Sequence, residues 1–108
     1  MIAGERTTAY INSLDMGNTE LLNQIEKEAL ETYVPIIRRE TQSFLKTLLA
    51  AQKPKVILEV GTAIGFSALL MAEYSPSDTR ITTIEKYEKR IPEAKENFKK
   101  AGEESRIT

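Results

Sequence analysis

Apolar positions along this chain fall into blocks of different period, and the periods predict helices alternating with strands. Leu21, Leu22, Ile25, Ala29 and Tyr33 recur at helical spacing, predicting a helix to about Tyr33 that Asn18 or Thr19 caps. Pro35 interrupts, because proline has no N–H and disfavours helix at Val34. A second helix is predicted over Arg39 to Ala51, with Phe44, Leu45, Leu48 and Leu49 inward and Pro54 as its stop. Lys55 to Val60 is almost continuously apolar, which predicts a strand buried on both faces of a parallel sheet. A helix follows over Gly65 to Glu73, then a loop over Tyr74 to Thr79. The β-branched run inside Arg80 to Glu85 predicts a second strand. Glu88 to Ala101 reads as a further long helix that Gly102 ends, and Arg106 to Thr108 as the opening of a third strand. Met1 to Asn18 is weakly periodic and predicts a short helix with a loop around Asp15 to Asn18.

A β-α-β-α-β alternation implies an α/β fold with a parallel sheet flanked by helices and right-handed crossovers. The segment 1–53 is expected to be helical, and 54–108 to hold the strand-bearing part. Two strands and the start of a third leave a parallel sheet short of cover. The chain is therefore expected to be unstable alone or to associate, as a homodimer, over its exposed edge.

The junction between the first strand and the next helix carries the candidate chemistry. It reads Gly61-Thr62-Ala63-Ile64-Gly65, and Glu85 closes the following strand. Glycines there let backbone approach a ligand without a Cβ, and an acid at the next strand end can accept hydrogen bonds from ribose hydroxyls. That order of parts predicts a nucleoside pocket. A dinucleotide fingerprint places glycines where this chain has Ala63 and Phe66, and both add a Cβ where a pyrophosphate needs room. NAD and flavins are thereby disfavoured against a ligand without phosphates. Glu59, at the end of the first strand, either fixes the glycine turn or faces a positively charged amino group of the ligand. Thr62 and Ala63 offer backbone contacts, and Ser67 lies in the first helical turn, where N–H groups suit an anion.

The run Ile57-Leu58-Glu59-Val60-Gly61-Thr62-Ala63-Ile64-Gly65-Phe66-Ser67-Ala68, with Val34-Pro35-Ile36 before it and Thr83-Ile84-Glu85 and Arg106-Ile107 after it, resembles the class I S-adenosylmethionine-dependent O-methyltransferases. Within them it looks like the bacterial relatives of catechol and caffeoyl-CoA O-methyltransferases, from about Thr19 to Thr108, and closest to proteins that methylate 5-hydroxyuridine in tRNA. The resemblance implies a Rossmann-like fold cut after its second strand-helix unit, the front half of a domain about twice as long. It implies S-adenosylmethionine as cofactor. Ser67 would then meet the methionine carboxylate, and the backbone of Ile37 would touch the cofactor. It also implies a divalent cation such as Mg, with ligands outside these residues, and an acceptor that is tRNA or a phenolic small molecule. Two other readings stand beside it: a fragment of an NAD- or flavin-binding oxidoreductase, and a non-catalytic α/β interaction module.

Composition narrows this further. The 108 residues hold 15 basic and 16 acidic side chains, so no strong global attraction to nucleic acid is built in. Arg38, Arg39, Lys46, Lys53 and Lys55 offer either contacts to a tRNA backbone or, more simply, a solvated face. The lysines and glutamates between Lys86 and Lys100 read as a salt-bridged surface helix. Cysteine and histidine are absent, which excludes thiolate and imidazole chemistry within these residues and fits a cytoplasmic setting. No apolar run is long enough to span a bilayer, and Met1 to Tyr10 lacks the apolar core of a signal peptide.

Overall fold

Thr19 starts the first strongly amphipathic helix. Its backbone is extended and its hydroxyl accepts the Leu22 N–H at 3.3 Å. In the computed structural model, which describes residues 4–108, this helix is the second of five. They are α1 (Glu5–Ser13), α2 (Glu20–Glu31), α3 (Arg39–Gln52), α4 (Phe66–Glu73) and α5 (Ile91–Lys100). Two strands, β1 (Val56–Val60) and β2 (Arg80–Ile84), sit on either side of α4 in the chain, and a 3-10 turn, Glu88–Arg90, leads into α5. The first three residues of the expected Met1 to Asn18 helix-and-loop segment lie outside the described residues.

Leu22, Ile25 and Ala29 bury one stripe of α2, but Tyr33 does not join it. The helix stops at Glu31, Tyr33 turns left-handed at φ 58°, and the Val34 N–H reaches back to the Ala29 carbonyl at 2.9 Å. That closure sends the Tyr33 ring into solvent. In α3 the inward stripe is Gln42, Leu45 and Leu49, whereas Phe44 and Leu48 face outward, contrary to expectation. The helix packs against α1 and α4, and of its residues Gln42 and Leu49 are the ones fully buried. Gly102 ends α5 as predicted. It sits at φ +70°, its N–H meets the Lys99 carbonyl at 3.0 Å, and the Glu103 N–H meets the Phe98 carbonyl at 3.0 Å.

β1 and β2 pair in parallel, Val56 with Arg80 through Val60 with Ile84. The predicted third strand begins on the far side of β2. The Ile81 N–H meets the Arg106 carbonyl and the Thr108 N–H meets the Ile81 carbonyl, both at 2.8 Å. β1 is not buried on both faces. Ile57 and Glu59 turn toward the helices, while Val56, Leu58 and Val60 are 74%, 66% and 82% exposed. Period two forces the alternation, and the described helices cover only the Ile57–Ile81 face. α4 is buried along Phe66 and Ala68 to Ala72, because it lies between that face and α2 and α3. One cluster of buried side chains joins the two parts, from Leu22, Ile25 and Leu49 to Phe66, Leu70, Ile81 and Phe98.

Candidate functional site

The carboxyl ends of β1 and β2 lie side by side, so residues far apart in sequence converge where the chain leaves the sheet. Glu59 and Thr83 are register partners on the covered face. The Thr83 hydroxyl donates to Glu59 Oε1 at 2.6 Å, and the Ser67 hydroxyl donates to Glu59 Oε2. Thr62 joins through its own hydroxyl, 2.6 Å from that of Thr83. Glu59 thus ties β1, β2 and the first turn of α4 together. Of its two expected roles, the geometry displays the one that fixes the glycine turn. Burial raises the Glu59 carboxyl above its ordinary value, and the Ser67 and Thr83 hydroxyls oppose that rise.

The glycine turn is shaped by left-handed backbone at three of its five residues: Gly61 at φ +99°, Ala63 at +49° and Gly65 at +91°. The two glycines do different work. A Cβ on Gly61 would have nothing within 4 Å, so its bare backbone faces open space where a ligand can approach. A Cβ on Gly65 would stand 2.6 Å from Phe98 Cε1, so this glycine lets α4 and α5 close together. The Ala63 N–H points out of the turn and donates to Glu85 Oε1 at 2.7 Å.

Glu85 receives a second backbone bond, from the Tyr87 N–H to Oε2 at 2.8 Å. Those bonds, Tyr87 first and Ala63 next, with the Arg90 guanidinium nearby, hold its carboxyl below its ordinary value. It stands ionised at the mouth of the turn, and each oxygen keeps a lone pair that can accept a further donor. Ile37 closes the opposite side. With Pro35 and Ile36 it faces Gly61, Ala63 and Ser67 across a cleft of about 200 Å³. A second, more apolar hollow of about 450 Å³ opens on the other side of the turn, under Thr62, Thr83, Glu85 and Phe98. A cavity of about 510 Å³ beside Asn18, Glu26 and Arg39 lies away from the strand ends and gathers none of the expected site residues. The eight expected residues, Ile37, Glu59, Gly61, Thr62, Ala63, Gly65, Ser67 and Glu85, all line or brace the turn and its clefts.

Three residues of this arrangement escaped the sequence. Thr83 stood in the run Thr83-Ile84-Glu85 without a role, and only the covered face of β2 gives it one. Asn97 is buried and donates its amide to the Ile64 carbonyl at 2.8 Å, pinning the glycine turn from α5, against which Phe98 also packs. Ala94, Asn97, Phe98 and Ala101 lie at helical spacing, a signal present within the charged segment. That segment is not the expected salt-bridged helix: among the described residues no ion pair joins its lysines to its glutamates. The basic residues before it do not form one solvated face either. Lys46 is largely buried and pairs with Asp15 at 3.0 Å, and Arg39 pairs with Glu26 at 3.2 Å.

The sequence profile of the O-methyltransferase family matches residues 11–108. Among solved structures the chain is similar to a putative caffeoyl-CoA O-methyltransferase from Staphylococcus aureus, at 32% identity and a TM-score of 0.85, over 95% of this chain and 49% of that one. It is also similar to the S-adenosylhomocysteine-bound methyltransferase PaMTH1 from Podospora anserina, at 28% identity and a TM-score of 0.83, over 100% and 50%. A third similar structure is the O-methyltransferase TomG from Streptomyces achromogenes, involved in tomaymycin synthesis and solved with S-adenosylmethionine, at 26% identity and 0.79, over 100% and 51%. The chain therefore spans about half the length of the solved structures it matches.

Proposed function

Because the chain belongs to the O-methyltransferase family, we propose that it carries the ribose and methionine end of an S-adenosylmethionine site in an enzyme that methylates a hydroxyl group. The observation that carries this is the convergence of the bare Gly61 backbone, the Ala63 N–H and the ionised Glu85 at adjacent strand ends. Glu85 accepts the two ribose hydroxyls on its remaining lone pairs, while its bonds to Ala63 and Tyr87 keep the carboxylate oriented. The Ser67 backbone N–H and the other first N–H groups of α4 meet the methionine carboxylate, while the Ser67 hydroxyl, donated to Glu59, holds that helix start in register with the sheet. Ile37 and its neighbours form the facing wall. Similar proteins solved with S-adenosylmethionine or S-adenosylhomocysteine support the cofactor.

When bound, the cofactor supplies an electrophilic methyl group for in-line displacement by an oxygen nucleophile. The residues described here contribute orientation, which lowers the entropic part of the barrier. Among the described residues no three acidic side chains gather around a point that could hold a metal ion. The acceptor we favour is 5-hydroxyuridine in tRNA, with phenolic small molecules as the second choice, and we place the protein in the cytoplasm. No helix among the described residues is long and apolar enough to cross a membrane. We further propose that two copies associate; the described residues leave the Val56, Leu58 and Val60 face of β1 bare.

Equilibrium dialysis with radiolabelled S-adenosylmethionine tests the cofactor site. Retention by the wild type that Glu85→Ala reduces supports the reading, and equal retention by both removes Glu85 from it. Transfer of the labelled methyl to undermodified tRNA rather than to a catechol supports the favoured acceptor.

A further inference from the structure

The wall that faces the glycine turn has no regular structure of its own. It runs through Pro35, Ile36 and Ile37 between α2 and α3, and Pro35 removes one backbone donor from it. What fixes it lies one turn into α3. Gln42 is 0% exposed, a rare state for a glutamine, and every polar atom of its side chain is engaged. Its amide nitrogen donates to the Ile37 carbonyl at 3.0 Å and to Glu26 Oε2 at 2.9 Å. Its carbonyl accepts from the Asn18 amide at 3.1 Å. Both partners of the nitrogen are acceptors only, so the orientation of the amide is chemically determined. Glu26, itself buried on α2, is held in turn by Arg39 at 3.2 Å.

On the reading given above, we propose that Gln42 is a positioning residue for the cofactor. It sets the distance between the Ile37 wall and the Gly61–Gly65 turn by anchoring the Ile37 carbonyl to Glu26 of α2. It touches no ligand and acts only through the wall. Its counterpart on the other side is Asn97, which anchors the Ile64 carbonyl. Each wall of the cleft is thus pinned by one buried side-chain amide. Methionine in place of Gln42 keeps the length and packing but removes the donor to the Ile37 carbonyl and to Glu26 Oε2, leaving Glu26 only its Arg39 partner.

The test compares Gln42→Met in the full chain with Thr79→Val. Thr79 is also fully buried and loses one hydroxyl bond, to the Pro54 carbonyl at 2.6 Å, at the opposite end of β2. Two readouts are taken: amide hydrogen exchange at Ile36 and Ile37, and the Kd for S-adenosylhomocysteine. Gln42→Met is expected to speed that exchange and weaken binding about fivefold, the size of one lost hydrogen bond. Thr79→Val is expected to lower the melting temperature and change neither. If Gln42→Met moves both readouts no further than Thr79→Val, Gln42 is packing alone and the proposal is overturned. If the wild type does not bind S-adenosylhomocysteine, the cofactor reading fails, and the exchange comparison by itself decides whether Gln42 positions the wall. Asn18→Ala, which removes only the donor to the Gln42 carbonyl, serves where Gln42→Met does not fold, with a smaller effect of the same direction expected.

Discussion

Replacing Gly65 by alanine separates packing from ligand access in the glycine turn. The new methyl would stand 2.6 Å from Phe98 Cε1 and 3.2 Å from Cζ, well inside ordinary carbon contact. Phe98 is only 7% exposed, so its ring has no solvent to swing into. Overpacking of this kind costs about 1–3 kcal/mol. The left-handed backbone at φ +91° adds about 1–2 kcal/mol for any residue with a Cβ. Gly65→Ala is therefore expected to lose about 2–5 kcal/mol in all. Gly61→Ala carries only the backbone share, about 1–2 kcal/mol, because nothing lies within 4 Å of its Cβ. Urea unfolding of both variants reads the difference. A Phe98→Leu background supplies the control, since a smaller side chain there relieves the clash and should shrink the Gly65→Ala penalty toward its backbone share. Cofactor affinity is expected to follow the reverse order, with Gly61→Ala the more damaging per unit of stability lost. Equal destabilisation by the two single variants, or a penalty unchanged in the Phe98→Leu background, would refute the reasoning.

Glu85→Ala should weaken S-adenosylmethionine binding by about 1–3 kcal/mol, the range for charged hydrogen-bond partners, read by calorimetry. Because the folded protein holds Glu85 below its ordinary value, its contribution to stability is present above the unfolded value and fades as pH falls through the lowered one. Glu59 has the opposite sign. Its raised carboxyl favours the fold below the unfolded value, and that contribution is lost as pH rises through the raised one. Glu59→Gln should flatten this part of the profile in urea unfolding from acid to neutral pH, and an unchanged profile would count against burial as the cause. Leu58→Lys on the bare sheet face should reduce self-association seen by sedimentation velocity, and association at wild-type strength would locate the contact elsewhere.

The elements were legible where local chemistry decides them. Thr19 capped its helix, Gly102 ended another, and the β-branched run from Ile81 formed a strand. The grouping of the candidate residues was legible because the glycines and the acid lie at the ends of adjacent parallel strands, an order that fixes their proximity before any side chain is placed. Facing was not. Tyr33, Phe44 and Leu48 are apolar residues that turn to solvent, since the stripe each helix buries depends on which neighbours pack against it. β1 looked almost continuously apolar, yet the described residues cover one face of it. The bracing residues were hidden for a related reason. Gln42 and Asn97 are polar by type and buried by tertiary contact, Thr83 is half-buried, and only Asn97 sat in a readable apolar stripe.

Calorimetric titration of the chain with S-adenosylmethionine, alongside NADH, tests the central claim most directly. The account predicts saturable binding of S-adenosylmethionine, weakened in Glu85→Ala, and no binding of NADH, whose pyrophosphate meets the Cβ atoms of Ala63 and Phe66. Binding of NADH with no heat from S-adenosylmethionine would contradict it.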